Sequence, residues 1–261
     1  MSDLVLQHLD RGLLTVTMNR PERRNALSAE MQFAMLDALH AATKNAEVRA
    51  ILLKGAGGTF CVGGDIQAMT TKAPATLEEN VTDLRSRMEI SRLVHQMQKP
   101  VVAQVDGAAA GAGFSLALAC DLRIASESAK ITTAFAKIGF PGDYGGTFFL
   151  TKMIGSAKAR ELYLMSPVLS AQEALGLGIV TKVVPDAETE KVAHDVAMSL
   201  AQGPTIALGY IKKNINNAET MSLEDCFDGE ALHLSRCRDS TDHKEAAKAF
   251  VEKRKPTFAG R

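Results

Sequence analysis

Ala50-Ile51-Leu52-Leu53 runs toward Phe60-Cys61-Val62-Gly63-Gly64-Asp65, and Val101-Val102-Ala103-Gln104-Val105 runs into Gly107-Ala108-Ala109-Ala110-Gly111-Ala112-Gly113. Each apolar run reads as a buried strand, and each is followed by a stretch almost without side chains. Such a stretch exposes its backbone N–H groups. Two N–H groups aimed at one point form an oxyanion hole, which stabilises negative charge developing on a carbonyl oxygen. That chemistry suits a thioester or an ester and needs no metal. Gly and Ala after strands also make tight turns and close packing, and either stretch alone is weak evidence. Two of them, each behind an apolar strand, favour a site.

Outward from this pair, strand, loop and helix recur. Leu4–Met18 predicts a hairpin turning near Asp10-Arg11-Gly12. Ser28 is a good N-cap for a helix through Met31, Met35, Leu36 and Leu39. A polar stretch, Thr70–Glu79, precedes one long helix expected over 77–98, stopped by Pro100. Gly113–Ala119 reads as a buried helix, Asp121–Ala125 and Lys130–Thr133 as strands, and Pro141–Gly146 as a third glycine-rich loop. Two helices are expected over Gly146–Ile154 and Ala157–Met165. The alternation predicts an α/β layered fold with parallel strands. After Pro185 three amphipathic helices are expected, over Thr189–Gln202, Thr205–Asn216 and Ser222–Ser235, and then a helix of mixed charge over Asp242–Lys253. They cannot bury their apolar faces alone and should pack on the core or on another subunit.

The chain has 261 residues, 46% hydrophobic and 23% charged, with 30 Lys+Arg against 30 Asp+Glu. The balance supplies no general field for nucleic acid or an anionic membrane, so neither is expected as a partner, and an anionic ligand must be held by local groups. The mixed charges of Lys244–Lys255 read as a solvated helix face. Neither a signal peptide nor a membrane span is expected. Cys61, Cys120, Cys226 and Cys237 show no metal-binding spacing and read as reduced thiols of a cytoplasmic protein.

Several ordered motifs carry a resemblance: Asn19-Arg20-Pro21 with Asn25-Ala26-Leu27-Ser28, Phe60–Asp65, Lys99-Pro100-Val101, Asp106–Gly113, Cys120-Asp121, Gly145-Gly146-Thr147, Leu169–Ala174 with Gly178-Ile179-Val180, and Phe250–Phe258. On these, essentially along its whole length, the chain resembles the enoyl-CoA hydratase/isomerase (crotonase) family. The resemblance implies a core of ββα spiral turns over 1–195 and a helical C-terminal region over 196–261 that builds a homotrimer or a hexamer of two trimers. It implies an acyl-CoA thioester as substrate, with coenzyme A entering only as part of it and no further cofactor or metal. By position, Gly64 and Ala112 supply the two oxyanion-hole N–H groups. Arg24, Ala26 and Val62 lie along the CoA nucleotide, Arg24 near phosphate and the others near adenine, with Gly64 also in contact with the ligand.

Departures from the family pattern narrow the chemistry. Hydratases of the family use two glutamates to add water; here Ser115 and Phe135 stand at those places, and Phe135 carries no exchangeable proton. One carboxylate remains in Gly139-Phe140-Pro141-Gly142-Asp143-Tyr144-Gly145-Gly146, which resembles the loop of family isomerases with its proline one residue earlier. Asp143 is therefore the expected catalytic acid/base, although Pro-Gly-Asp also suits a plain turn. The expected reaction takes a proton from C4 and returns it at C2, converting a 3-enoyl to a 2-enoyl thioester, with the enolate held by Gly64 and Ala112. Phe135, Phe140, Phe148 and Phe149 predict an apolar surrounding that raises the Asp143 pKa. The alternatives are hydration of a 2-enoyl-CoA with Ser115 assisting, nucleophilic attack by Asp143 on an aryl-CoA, disfavoured because the chain has no Trp, and a non-catalytic acyl-CoA-binding protein. His95 and Tyr144 are near the expected site without an assigned role.

Overall fold

In a computed structural model, which describes residues 4–71 and 74–261, the chain opens with β1 (Val5–Asp10) and β2 (Leu13–Met18). Arg11 and Gly12 both have positive φ, at 44° and 90°. That is the turn twist that suits a two-residue hairpin. Ser28 caps α1 (Ala29–Lys44) by accepting a hydrogen bond from Met31 N. Next come β3 (Ala50–Gly55), α2 (Ile66–Thr71), α3 (Leu77–Arg87) and α4 (Glu89–Gln96). Then follow β4 (Val101–Val105), β5 (Ala108–Ala110), α5 (Ala112–Ala119), β6 (Leu122–Ser126) and β7 (Lys130–Thr132). After α6 (Gly146–Met165), β8 (Leu169–Ser170), α7 (Ala171–Gly176) and β9 (Lys182–Val184), the chain ends in α8 (Thr189–Ala201), α9 (Thr205–Ala218), α10 (Leu223–Arg238) and α11 (Thr241–Val251).

Six strands form one sheet in the order β1-β2-β3-β4-β6-β9, parallel except for the β1–β2 hairpin. Ile51 pairs with Val101, and Val105 with Ala125. Leu13, Ala50, Leu52, Val102, Ile124 and Val184 cover one face, where Ala193, Ala197 and Ala201 of α8 close on them. These alanines recur every four residues along one helix face, and small side chains let that helix lie close to the sheet. Leu14, Val16, Ile51, Leu53, Val101, Ala103 and Val105 point the other way, into the main core shared with α1, α4 and α5. The position expected to separate core from C-terminal region, 195/196, lies inside α8. Helix α5 is buried at every residue, as its all-round apolar sequence requires. A small second sheet, β5-β7-β8, lies beside it.

The structure departs from expectation at two places. The long helix over 77–98 is two, broken at Met88, which ends α3 and begins α4. The small-residue stretch 107–113 is not all loop: Ala108–Ala110 is strand β5, and only Gly111 separates it from α5. The two helices expected over Gly146–Ile154 and Ala157–Met165 are both present within α6, separated at Gly155, whose φ 77° and ψ 158° are not helical. Residues 72 and 73 of the expected polar stretch lie outside the described residues. Among the described residues no helix is long and apolar enough to cross a membrane, and no group of His, Cys, Asp and Glu is arranged to hold a metal.

Candidate active site

The two small-residue stretches meet side by side. Cys61 bridges Ala109 in parallel fashion, with Cys61 N donating to Ala108 O and Ala110 N donating to Cys61 O. Leu27 bridges Gly64 on the other side. A Cβ on Gly63 would stand 2.9 Å from Ala110 O and 3.3 Å from Ala112 N, so only glycine lets the two backbones come this close. Among the described residues, neither Gly64 N–H nor Ala112 N–H has a backbone acceptor. Ala112 is the first residue of α5, where an N–H has no intrahelical partner and the helix dipole adds positive potential. Two unspent donors on adjoining backbones are what an oxyanion hole requires.

Asparagine 25 ties this arrangement together. It is fully buried in a left-handed conformation, φ 56°. Its Oδ1 accepts from Arg20 N at 2.9 Å, and its Nδ2 donates to Ala56 O and Thr59 O at 2.9 and 2.6 Å. Arg20 in turn donates to Ala26 O and pairs with Asp65 at 3.0 Å. Asn25→Ala strands these partners in the interior and is expected to cost about 3 kcal/mol. An unchanged urea midpoint would contradict this.

The residues assigned to the CoA nucleotide come together: Val62 N donates to Arg24 O, and Ala26 N to Arg23 O. Arg24 is exposed, Val62 half-buried and Ala26 buried. Arg24 has a positive φ of 49°, like Asn25 beside it.

Asp143 stands in the loop before α6, flanked by positive φ at Gly142, Tyr144 and Gly145. Its Oδ1 is buried and has no hydrogen-bond partner among the described residues. Burial pushes its carboxyl up to about 6, against the opposing pull of Arg87. A buried acceptor without a donor is costly and therefore rare, and such groups concentrate at functional sites. The apolar wall is only partly the expected one. Phe135 and Phe149 are buried against this region, whereas Phe140 and Phe148 are 50% and 41% exposed.

Gln32, Arg87 and Tyr163 are neighbours of the site that were not recognised in the sequence. Tyr144 is buried and donates to Gln32 Oε1, so it does not serve Asp143. Gln32 Nε2 donates to Leu27 O at 3.0 Å, next to the Gly63–Gly64 backbone, and Arg87 reaches Gln32 while pairing with Asp83 at 2.6 Å. The Tyr163 ring stacks on Phe135 with an interplanar angle of 2°. Burial pushes its phenol up to about 12, and its hydroxyl lies with that of Ser115 beside Gly146. No sequence spacing joins residues 115, 143 and 163; the fold does. His95 packs on Phe148 and Phe149, and burial lowers its pKa. It lines a cleft of about 690 Å³ that reaches Tyr144 and Gly145; Gly64, Ala112 and Asp143 are not among its walls.

Comparison with known proteins places this geometry. A family profile described as enoyl-CoA hydratase/isomerase matches residues 8–261. The chain is 37% identical to a 1,2-epoxyphenylacetyl-CoA isomerase of Escherichia coli strain K12, covering 100% of both chains. It is 38% identical to a probable enoyl-CoA hydratase of Rhodobacter capsulatus, covering 97% of this chain and 96% of that one. A crystal structure of a putative enoyl-CoA hydratase/isomerase from Mycobacterium abscessus superposes with a TM-score of 0.91 at 33% identity, covering 98% and 100% of the two chains. Matched along essentially its whole length, the chain belongs to the enoyl-CoA hydratase/isomerase family of crotonase-fold enzymes.

Proposed function

We propose that the protein is an enoyl-CoA isomerase in which Asp143 moves a proton along the acyl chain. The observation that carries this reading is the buried, unpartnered Oδ1 of Asp143, with its carboxyl raised to about 6. A base with this pKa is ionised at neutral pH yet returns its proton readily. The direction of proton movement expected above is corrected by acidity. In a 3-enoyl thioester C2 lies between the carbonyl and the double bond, so Asp143 takes the C2 proton first. The resulting dienolate carries its charge on the thioester oxygen, opposite Gly64 N–H and Ala112 N–H. Asp143 then delivers the proton to C4, leaving a 2-enoyl thioester. Proton and electron pair balance within substrate and carboxylate, without a further cofactor.

Hydration is disfavoured by Ser115 and Phe135, which cannot replace two carboxylates. The name of a 33% identical relative from Streptococcus mutans, a trans-2-decenoyl-[acyl-carrier-protein] isomerase, supports the reading, and the hydratase name of the Rhodobacter relative supports the alternative. The nucleotide of the substrate is assigned to Arg24, Ala26 and Val62. Assembly into a trimer or a pair of trimers is assigned to the apolar faces left open on the last helices, including Phe227, Leu234 and Phe250 at 59%, 66% and 86% exposure. A cytoplasmic location fits the four free thiols. Parallel assays with a 3-enoyl-CoA and a 2-enoyl-CoA test the function. Conversion of the first without water addition to the second is the expected result. Formation of 3-hydroxyacyl-CoA would make the enzyme a hydratase, and binding without turnover of either would leave a carrier.

A further inference from the structure

The peptide unit that supplies the Ala112 N–H also contains the Gly111 carbonyl, because both belong to one planar group. Gly111 O accepts two hydrogen bonds from one residue: Ser115 N at 3.0 Å and Ser115 Oγ at 3.3 Å. On its other side Gly111 N donates to Thr132 O at 3.1 Å. Gly111 has φ 52° and ψ −128°. These bonds, and no side chain of its own, hold the plane. A second donor on a carbonyl polarises the peptide and strengthens its N–H as a donor.

A second hydroxyl lies close to Ser115. A Cβ on Gly146 would lie 2.2 Å from Ser115 Oγ and 2.4 Å from Tyr163 Oη, so the two hydroxyls flank this glycine together. Ser115 is 1% exposed. The phenol ring is held by its stack on Phe135 and by Gly142, whose missing Cβ would be 3.0 Å from Tyr163 Cε1. Gly142 and Gly146 belong to the segment that carries Asp143. The pair therefore sits where one glutamate would stand in a hydratase, but its outlet is the backbone of the hole.

We propose that Tyr163 is a positioning residue. Its phenol donates to Ser115 Oγ, whose own proton goes to Gly111 O, and this relay orients and polarises the Ala112 N–H that stabilises the enolate. The relay deepens the isomerase reading and rests on it for its kinetic consequences. It acts on the oxyanion donor and not on the base, so it leaves the titration of Asp143 alone.

The test compares wild type with Tyr163→Phe, Ser115→Ala and the double variant. Tyr163→Phe keeps the ring and its stack on Phe135 and removes only the oxygen. Two readouts are taken: turnover of 3-hexenoyl-CoA against pH, and the infrared carbonyl stretch of bound butyryl-CoA carrying ¹³C in the thioester carbonyl. In Tyr163→Phe, kcat is expected to fall roughly 10-fold with KM within twofold. The acidic midpoint stays in place, and the carbonyl stretch moves back toward that of free thioester. The double variant is expected to match Ser115→Ala alone, since both changes cut one relay. An unchanged carbonyl stretch, additive losses, or a midpoint that moves with kcat would overturn the proposal. If the wild type lowers the carbonyl stretch yet isomerises nothing, the isomerase reading fails while the infrared comparison still decides the relay. If the wild type does not lower it, no hole forms and the relay falls.

Discussion

Asp143→Asn is expected to lower isomerase turnover by roughly 10³-fold while KM changes little, because the amide fills the same space but cannot take a proton. In the wild type, kcat should fall on the acid side with a midpoint near 6, where burial has pushed the carboxyl. The same shift makes a stability prediction of opposite sense. Asp143 has a folded pKa above its ordinary value of 3.8, so the fold prefers the protonated form. Below the unfolded pKa the group carries no penalty. As pH rises through about 6 the penalty reaches its full size, at most about 3 kcal/mol. Asp143→Asn should therefore melt higher than wild type at pH 7 and alike near pH 3. A variant that isomerises at the wild-type rate removes Asp143 from the mechanism. One that melts lower at neutral pH shows that the carboxylate has a partner in solution.

Ala112→Pro is expected to lower kcat by roughly 10²–10³-fold, the usual cost of one oxyanion donor, and to leave the fold nearly intact. The separation of the two effects comes from position. Ala112 is the first residue of α5, the place in a helix where proline is best tolerated, since the N–H lost there has no intrahelical acceptor. The residue before a proline must avoid the α region, and Gly111 at φ 52°, ψ −128° already does. Circular dichroism and melting would report the fold, and single-turnover kinetics the chemical step. Full activity in a folded Ala112→Pro protein would mean that the thioester oxygen is held elsewhere.

Much of the fold and the candidate site was legible in the sequence for identifiable reasons. The parallel strands announce themselves because burial on both faces leaves near-continuous Val, Ile, Leu and Ala, as in β3 and β4. The paired small-residue stretches are legible because close backbone approach demands glycine at Gly63 and Gly113, and a positive φ favours it at Gly111. Asp143 stands out as a lone carboxylate in a glycine-rich loop. The break at Met88 was hidden, since no glycine or proline marks it. Strand β5 was hidden because three alanines show no alternation. Tyr163, Gln32 and Arg87 were out of reach, because each gains its place from neighbours across the fold: Tyr163 beside Ser115 at Gly146, Gln32 bonded to Tyr144, Arg87 bonded to Gln32. The two outlying phenylalanines, Phe140 and Phe148, show the limit of composition, which supplies apolar residues near a site without saying which way they face.

The donors at Gly64 and Ala112 are main-chain groups held in place by strand pairing between Cys61 and Ala109. A device of this kind is inherited through geometry, and mutation reaches it only by removing an N–H or by forcing the two strands apart. Side chains around it are free to drift. A lineage can exchange a glutamate for Ser115 or Phe135, or place its one acid at Asp143, and keep the two free amides at every step. Descendants of one ancestor could in this way come to catalyse unlike reactions without passing through a protein that had lost its catalytic core.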